Sequence, residues 1–187
     1  MTWPLQKGQP VDEQDQPARF EELILPHLDA ACNLARWLTG NEHDAEDVAQ
    51  EAYLRAFKFF GGFRGGNSRA WLLSIVRNTS YTWLQKNRKL QAAAVYEEDL
   101  HAVEDDSANP ELLMLKNADA QMIKQSLAEL PVEFREVTVL REMEGMSYKE
   151  IAEIAEVPIG TVMSRLARAR KLLQQSLAAQ LQKGGTK

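Results

Sequence analysis

The chain has 187 residues, of which 44% are hydrophobic and 26% are charged, and its formal net charge is −5. This length allows one or two small domains, and the composition is that of a globular protein rather than a disordered or fibrous one. The sequence contains no apolar run long enough to span a bilayer and no signal-peptide layout at its N-terminus, so we expect a cytoplasmic protein without membrane insertion. The single cysteine, Cys32, is predicted to be a small buried hydrophobe.

The charges are segregated along the chain. Residues 61–96 contain Arg and Lys but no Asp or Glu, residues 97–111 contain only acidic charges, and residues 159–171 are again purely basic. Two basic blocks separated by an acidic block indicate nucleic-acid binding, although the net charge is negative.

The N-terminal part of the sequence predicts a disordered tail and then a helical domain. Residues 1–17 are rich in Gln, Pro and Asp, which favours disorder. Apolar residues recur at helical spacing over residues 18–38, where Pro26 should bend the helix or split off its first turn. Two further helices are predicted over residues 44–60 and 69–90, joined by the loop GGFRGGNS. We expect residues 18–90 to form one compact domain.

The rest of the chain predicts a second helical domain. The acidic residues 91–111 favour an extended linker. A helix is expected over residues 112–130, with its inner face formed by Leu112, Leu115, Ile123 and Leu127. Pro131 should open the next helix at its first position, and Gly145 should end it. The domain would span residues 112–178, followed by a tail over residues 179–187. No stretch alternates like a strand, so the predicted fold is all-α, with two small domains on a flexible tether.

The sequence over residues 147–173 has the pattern of a helix-turn-helix. Ser147 and Glu150 form a capping box before an apolar run, and Pro158 interrupts the helical pattern. The helix that follows is basic, and hydroxyls near a helix start with arginines further along suit the DNA major groove. The alternative is a solvated basic surface. The candidate DNA-contacting residues on this helix are Thr161, Ser164, Arg165, Arg168 and Lys171.

Two other segments of the sequence carry candidate functional side chains. Asp44, Asp47 and Glu51 share helical spacing with Gln50 and Leu54. These acids are candidates for a metal site, a solvated face or a docking face, and acids spaced in this way without His are usually surface residues.

The glycine-bounded loop and the helix after it form the second candidate segment. The loop is either a connector or a pocket for an unstacked base, because it combines an aromatic, a cation and amides without an acid. On the helix, Trp71 and Ile75 should pack inward, while Tyr81 and Trp83 fit either the core or a stacking platform. The candidate nucleic-acid contacts are Phe63, Arg64, Asn67, Ser68, Arg77, Asn78, Lys86, Arg88 and Lys89.

Three blocks together resemble the extracytoplasmic-function (group 4) sigma factors of bacterial RNA polymerase, over roughly residues 19–177. DAEDVAQEAYLRAFKFF, residues 44–60, resembles the polymerase-binding helix of sigma region 2. RAWLLSIVRNTSYTWLQKNRK, residues 69–89, resembles the promoter-reading and melting part of that region. The segment from residue 127 to residue 173 resembles region 4, which contains a helix-turn-helix.

The resemblance implies a role for each candidate set. The polymerase-binding residues would be Asp47, Gln50, Glu51 and Leu54, against the clamp coiled coil of the β′ subunit. The loop would capture a flipped base of the −10 promoter element, helped by the cations of the following helix, and the second basic helix would read the −35 element. The acidic linker would be a spacer or a phosphate mimic in polymerase channels. Core polymerase (β′ and β subunits), promoter DNA and an anti-sigma factor are the implied partners, and no cofactor, metal or catalytic residue is implied.

Two other functions are weighed against a sigma factor. A free-standing helix-turn-helix regulator would bind DNA as a homodimer, but no sustained heptad seam is evident. A metal-dependent nuclease would use Asp44, Asp47 and Glu51, but the sequence offers no second convergent acidic cluster.

Overall fold

The computed structural model describes residues 16–94 and 114–184, and every regular element in these two ranges is helical. The all-α prediction is therefore confirmed. Residues 1–15 of the predicted N-terminal tail, most of the predicted linker and residues 185–187 lie outside the described residues, as do Leu112 and residue 113 of the second predicted domain.

The first half of the fold consists of four helices whose ends follow local sequence signals. Pro26 lies in a 3-10 turn, Leu25–His27, which separates the first two helices as predicted. Gly40 ends the second helix with a left-handed φ of 88°, and the Asn41 side chain caps the third helix by accepting from the Asp44 amide. The helices are α1 Gln16–Ile24, α2 Leu28–Thr39, α3 Glu42–Phe59 and α4 Ser68–Ala94.

The second half contains a further four helices. Pro131 precedes α6 as its N-cap rather than occupying the first helical position. After α6 the chain continues through a π-helical turn, Val139–Met143, and Gly145 follows with a φ of 65°. The predicted capping box of Ser147 and Glu150 is present. The helices are α5 Met114–Ala128, α6 Val132–Thr138, α7 Tyr148–Ala155 and α8 Ile159–Gly184.

Some predicted boundaries move in the structure. Gln16 and Pro17 belong to α1, residues 91–94 continue α4, and residues 179–184 continue α8 instead of forming a tail. Each change lengthens a helix beyond the apolar stripe from which it was predicted.

The two halves share one apolar core, which the sequence analysis did not anticipate. Helix α4 packs against α7, and α2 packs against α6. Residues that are at most 2% exposed come from both halves: Leu34, Leu38, Leu72, Leu73, Val76, Val137, Leu140, Ile151, Ile154 and Leu166. The half-buried Trp37 of α2 also contacts a second cluster of Leu127, Leu130 and Ala169. The two halves are therefore joined by packing as well as by the chain.

Two predicted core residues face solvent. Cys32 is exposed, because it lies off the α2 stripe that buries Ala31, Leu34 and Ala35. Ile123 is 50% exposed on α5. The polar contacts between α5 and α8 form further along, around Ser126. Among the described residues, no helix is both long and apolar enough to cross a membrane.

Candidate nucleic-acid interface and docking face

The predicted docking residues lie together on the exposed side of α3. Asp47, Gln50, Glu51 and Leu54 are all exposed, and Leu54 leaves 56% of its surface free. The Glu51 carboxylate accepts from Arg55 Nε at 2.7 Å, one helical turn further on. This face is a small apolar patch surrounded by polar side chains, an arrangement that suits a reversible protein interface.

Two exposed aromatics lie near the end of α3, and the sequence analysis missed them. Phe57 is 46% exposed and lies three residues after Leu54 on the same helix face, and Phe59 is 59% exposed. The sequence could have indicated both, because each is an aromatic residue outside the apolar positions that face the core. Phe57 also packs edge-on against Phe20, with ring centroids 5.1 Å apart, so its position is fixed.

Asp44 belongs to the cap of α3 and not to a metal cluster. Its backbone amide donates to the Asn41 side chain, and its carboxylate accepts from the same side chain. Within the described ranges, no group of three or more His, Cys, Asp or Glu side chains is placed to hold a metal ion.

The loop before α4 is tied down on both sides. The Phe63 ring stacks on Phe60 at 5.7 Å and lies 5.0 Å from the Trp71 ring. Asn67 caps α4, because its Oδ1 accepts from the Ala70 amide at 3.0 Å. The loop therefore holds its aromatic and amide side chains in fixed positions.

Two other predicted residues of the loop differ in exposure. Arg64 is exposed, whereas the Ser68 hydroxyl lies 3.2 Å from His27 Nε2. Burial and the charge of Arg69 lower the pKa of His27 below its usual 6.5. An open cleft of roughly 470 Å³ adjoins this histidine and is also lined by Asn33, Arg69 and Glu144.

Arg77 of α4 is held by a buried acid from the other half of the fold. Its Nε donates to Glu136 Oε1 at 2.8 Å, and its side chain is 17% exposed while that of Glu136 is 0% exposed. The Tyr81 hydroxyl donates to Glu136 Oε2 at 2.8 Å, and the Arg77 guanidinium lies 4.4 Å from the centre of the Tyr81 ring. Burial, followed by the nearby Glu136 charge, raises the pKa of Tyr81. Tyr81 therefore belongs to an interior polar cluster here.

The remaining predicted cations of α4 face solvent. Lys86, Arg88 and Lys89 are exposed, whereas Trp83 packs partly buried against the core, as do Trp71 and Ile75. The exposed end of α4 is therefore basic. Asn78, nearer the middle of the helix, accepts from Arg77 Nη1 at 2.9 Å.

On α8 the predicted DNA-contacting residues have two different environments. Ser164, Arg168 and Lys171 are exposed, and the Ser164 hydroxyl donates to the Thr161 carbonyl at 3.0 Å. Arg165 is half-buried, and its Nη1 is buried without a hydrogen-bond partner among the described residues. The positive charge of Arg165 acts to lower the pKa of Tyr81, against the larger effects of burial and Glu136.

Four glutamates of the second half reach polar residues of the first half, and the sequence analysis did not single out any of them as such. Glu150 carried a capping signal, but no sequence signal indicated that any of the four would contact the first half. They are Glu136 on α6, Glu144 in the turn after it, Glu150 on α7 and Glu156 at the end of α7.

Comparison with known proteins accounts for both halves. A family model for Sigma-70 region 2 matches residues 23–90, and one for Sigma-70, region 4 matches residues 120–173. The chain is 32% identical over 179 residues to the ECF RNA polymerase sigma-E factor of Escherichia coli K12, covering 89% of this chain and 90% of that protein. The chain belongs to the extracytoplasmic-function sigma factors. This sigma factor is thus a transcription initiation factor of RNA polymerase and not a free-standing regulator.

Other relatives agree with this assignment. This sigma factor is 34% identical to the RNA polymerase sigma-H factor of Pseudomonas aeruginosa, over 84% of this chain and 86% of that protein. It is also 34% identical to the ECF RNA polymerase sigma factor SigE of Mycolicibacterium smegmatis, over 89% of this chain, and it spans 64% of that longer protein.

Solved structures show the same fold. The sigma factor RpoE from Bartonella quintana, crystallised in complex with the anti-sigma factor NepR, superposes with a TM-score of 0.70 at 31% identity, covering 86% of this chain and 97% of that one. CnrH, in complex with the cytosolic domain of CnrY, gives a TM-score of 0.61 at 24% identity and shares the fold.

Proposed function

We propose that this sigma factor docks on core RNA polymerase through the exposed face of α3 and reads the promoter with two separate surfaces. The loop and α4 contact the −10 element and help to open it, and α8 contacts the −35 element. The protein itself catalyses no reaction. The observation that carries this proposal is the arrangement of an exposed apolar docking patch and two basic helices on one chain that belongs to the sigma factors.

The docking proposal is supported by exposure and chemistry. Asp47, Gln50 and Glu51 surround Leu54, whose free surface is large for a leucine on a helix. A buried apolar centre with a polar rim is the usual anatomy of a protein interface. The β′ subunit is the expected contact.

Charge reversal tests the docking face. The variant Asp47→Lys with Glu51→Lys should weaken competition for core polymerase about tenfold or more, because reversed charges lose their complementarity to the partner surface and add repulsion. The matched control is Glu21→Lys with Glu22→Lys, which makes the same charge change at two exposed positions of α1. Equal competition by both variants would refute this docking face.

The promoter-reading proposal is supported by free cations on two helices. Lys86 and Arg88 on α4, and Arg168 and Lys171 on α8, are exposed and have no ion-pair partner among the described residues. Such side chains can release counterions from DNA phosphates, and the hydroxyls near the start of α8 can reach base edges. The −10 set is Phe63, Arg64, Asn67, Ser68, Arg77, Asn78, Lys86 and Arg88, and the −35 set is Thr161, Ser164, Arg165, Arg168 and Lys171.

Run-off transcription on a randomised promoter library tests this reading. With core polymerase, the selected templates should share two sequence elements at −35 and −10. The free chain should bind the same templates only weakly. Tight sequence-specific shifts by the free chain in moderate salt would contradict the proposal.

An anti-sigma factor is the further expected partner. The similar structures of RpoE and CnrH were solved in complex with NepR, an anti-sigma factor, and with the cytosolic domain of CnrY, respectively. A cellular protein that co-purifies with this chain and blocks its run-off transcription with core polymerase would be that partner.

A further inference from the structure

Side chains proposed to read the −10 element are occupied by glutamates from the other half of the fold. Arg77 Nε donates to Glu136 at 2.8 Å, and Asn67 Nδ2 donates to Glu150 at 2.5 Å. Asn78 Nδ2 lies 3.4 Å from an oxygen of Glu156. A carboxylate offers the same anionic oxygen acceptors as a DNA phosphate, and amides and guanidinium groups bind both. The same donor atoms cannot hold a glutamate and DNA at the same time.

Glu136 is the central group of this contact. It is 0% exposed and accepts one hydrogen bond from Arg77 and another from Tyr81, both on α4. Removing a buried charge from water is costly unless it is paired and hydrogen-bonded, and both of its carboxylate oxygens are satisfied by the first half. If the two halves separated, Glu136 would lose both of these hydrogen-bond partners, and water would have to replace them.

A residue of the −35 set is also partly buried in this arrangement. Arg165 of α8 is half-buried, and its Nη1 has no hydrogen-bond partner among the described residues. A buried donor without a partner costs free energy. This group would gain a partner when it is released to a DNA base or phosphate.

A second ionic contact joins the two halves near the start of α4. The Glu144 carboxylate accepts from Arg69 at the start of α4 and from Asn33 Nδ2 of α2 at 2.6 Å. Arg135 of α6 adds a hydrogen bond from its Nη1 to the Trp37 carbonyl at 2.8 Å. Polar contacts to the second half therefore come from both α2 and α4.

We propose that Glu136 and Glu144 latch the free sigma factor in a closed, autoinhibited form, in which acids of region 4 take the places of DNA groups on region 2. Core polymerase and promoter DNA then bind the opened form. This inference rests on the promoter-reading residues assigned above. Closure lowers the DNA affinity of the free chain in proportion to the closed population, because only the open fraction has these residues available.

The first test measures the distance between the halves in the full free chain. One dye is attached to the native Cys32, which is exposed on α2, and the other to a Glu153→Cys substitution on the exposed side of α7. Energy transfer should fall when Glu136 is replaced by Gln, an isosteric change that removes the charge. The matched control is Glu142→Gln, which removes one charge and breaks the exposed pair with Arg170 inside the second half.

The second test measures binding of a single-stranded −10 oligonucleotide by the free chain. Glu136→Gln should raise the affinity at least about fivefold, the lower end of ordinary allosteric coupling, while Glu142→Gln should leave it unchanged. In the holoenzyme, where the closed form is already opened, transcription by the two variants should be similar.

A second pair of variants keeps the latch testable if Glu136→Gln does not fold. Glu144→Gln and Arg135→Gln act on other parts of the interface and should give the same opening, while circular dichroism verifies that the helices persist. Unchanged energy transfer in all of these variants would overturn the latch. A gain in DNA affinity without a fall in energy transfer would also overturn it, because charge removal alone would then explain the gain.

The latch and the assignment of the promoter residues can fail separately. If energy transfer falls but DNA affinity stays the same, autoinhibition is overturned. Arg77→Ala in the holoenzyme then tests the site itself, since a loss of open complex in that assay upholds the promoter assignment even when the latch has failed.

Discussion

Arg165 lies on the helix proposed to read the −35 element, but its side chain is not freely exposed in this structure. Its position on α8 suits base reading, yet in this structure it is half-buried, and its Nη1 has no hydrogen-bond partner among the described residues. Lys171, six residues further along the same helix, is exposed. The two residues therefore make separable predictions about promoter recognition.

We expect Arg165→Ala and Lys171→Ala to weaken −35 binding in different ways. Loss of a base-reading arginine should cost about 1–3 kcal/mol and relax the preference at one position, whereas loss of a phosphate contact should weaken all sequences alike and reduce the salt slope by about one. Holoenzyme binding to single-base variants of the −35 duplex, at several salt concentrations, measures both effects. Equal, sequence-blind losses would make Arg165 a phosphate contact.

Glu150 ties helix capping to acid stability. Hydrogen bonds from the Ser147 side chain and backbone, and then from Asn67, lower the pKa of Glu150 below its usual 4.5. A carboxyl group whose pKa is depressed by folding contributes stability above the unfolded pKa, and this contribution is lost as the pH falls through the folded value.

Glu150→Gln should therefore destabilise the protein at pH 7 and make less difference below pH 4.5, where the wild-type carboxyl is becoming protonated. Urea unfolding of both proteins at pH 7 and at successively lower pH values measures this. A difference in unfolding free energy that stays constant across that range would contradict the role of the charge.

At the scale of the elements, helix ends were predictable and contacts between distant helices were not. Pro26, Gly40 and the Ser147–Glu150 capping box act within a few residues of the chain, so the sequence alone specifies them. Glu136 is different, because its burial depends on α4 lying against it. Similarly, Cys32 lies in an apolar stretch, and only the packing of α2 shows that it faces solvent.

The same limit applies to the candidate sites. The exposed face of α3 followed from helical spacing, and the cations at the end of α4 followed from the absence of nearby acids. The partners of Arg77 and Asn67 could not be predicted, because they lie 59 and 83 residues away in sequence. Residue type and local periodicity carry no information about such pairs.

The loop before α4 makes a prediction about promoter opening. Phe63 is packed by Phe60 and Trp71, and Asn67 caps α4, so alanine substitutions would damage structure as well as function. Phe63→Leu with Asn67→Ser keeps apolar volume and a capping side chain while removing the aromatic ring and the amide. We expect this variant to bind core polymerase and form closed complexes normally.

The variant Phe63→Leu with Asn67→Ser should form fewer open complexes, as measured by permanganate-reactive thymines near −10. Flipping a base costs a few kcal/mol, and the altered loop no longer offsets this cost. A template with a pre-opened bubble serves as the control and should restore much of the activity. An equal defect on bubble and duplex templates would mean that the loop does not capture an unpaired base.

For the whole molecule, the shared core has a thermodynamic consequence. Buried residues of α2 and α4 form one cluster with those of α6, α7 and α8. Because this packing is shared, we expect the two halves to stabilise each other and to unfold together. Two domains joined only by a flexible tether would unfold separately, each with its own midpoint.

The tryptophans make this coupling measurable. All four precede residue 84, and Trp71 and Trp83 lie within the first half, whereas Trp37 contacts both halves. In a background with Trp3→Phe and Trp37→Phe, tryptophan fluorescence follows the unfolding of the first half. Leu166 of α8 is 2% exposed and lies in the second half, so a cavity there is remote from both remaining tryptophans along the chain.

We expect Leu166→Ala to shift the fluorescence midpoint in urea to lower concentration, since creating such a cavity costs about 2–5 kcal/mol and coupled halves share the loss. Circular dichroism of the same samples should give the same midpoint. The matched control is Leu181→Ala, also on α8, where the side chain is 64% exposed and little packing is lost. Independent halves would give a different result, because fluorescence would keep its original midpoint while circular dichroism showed an earlier, separate transition.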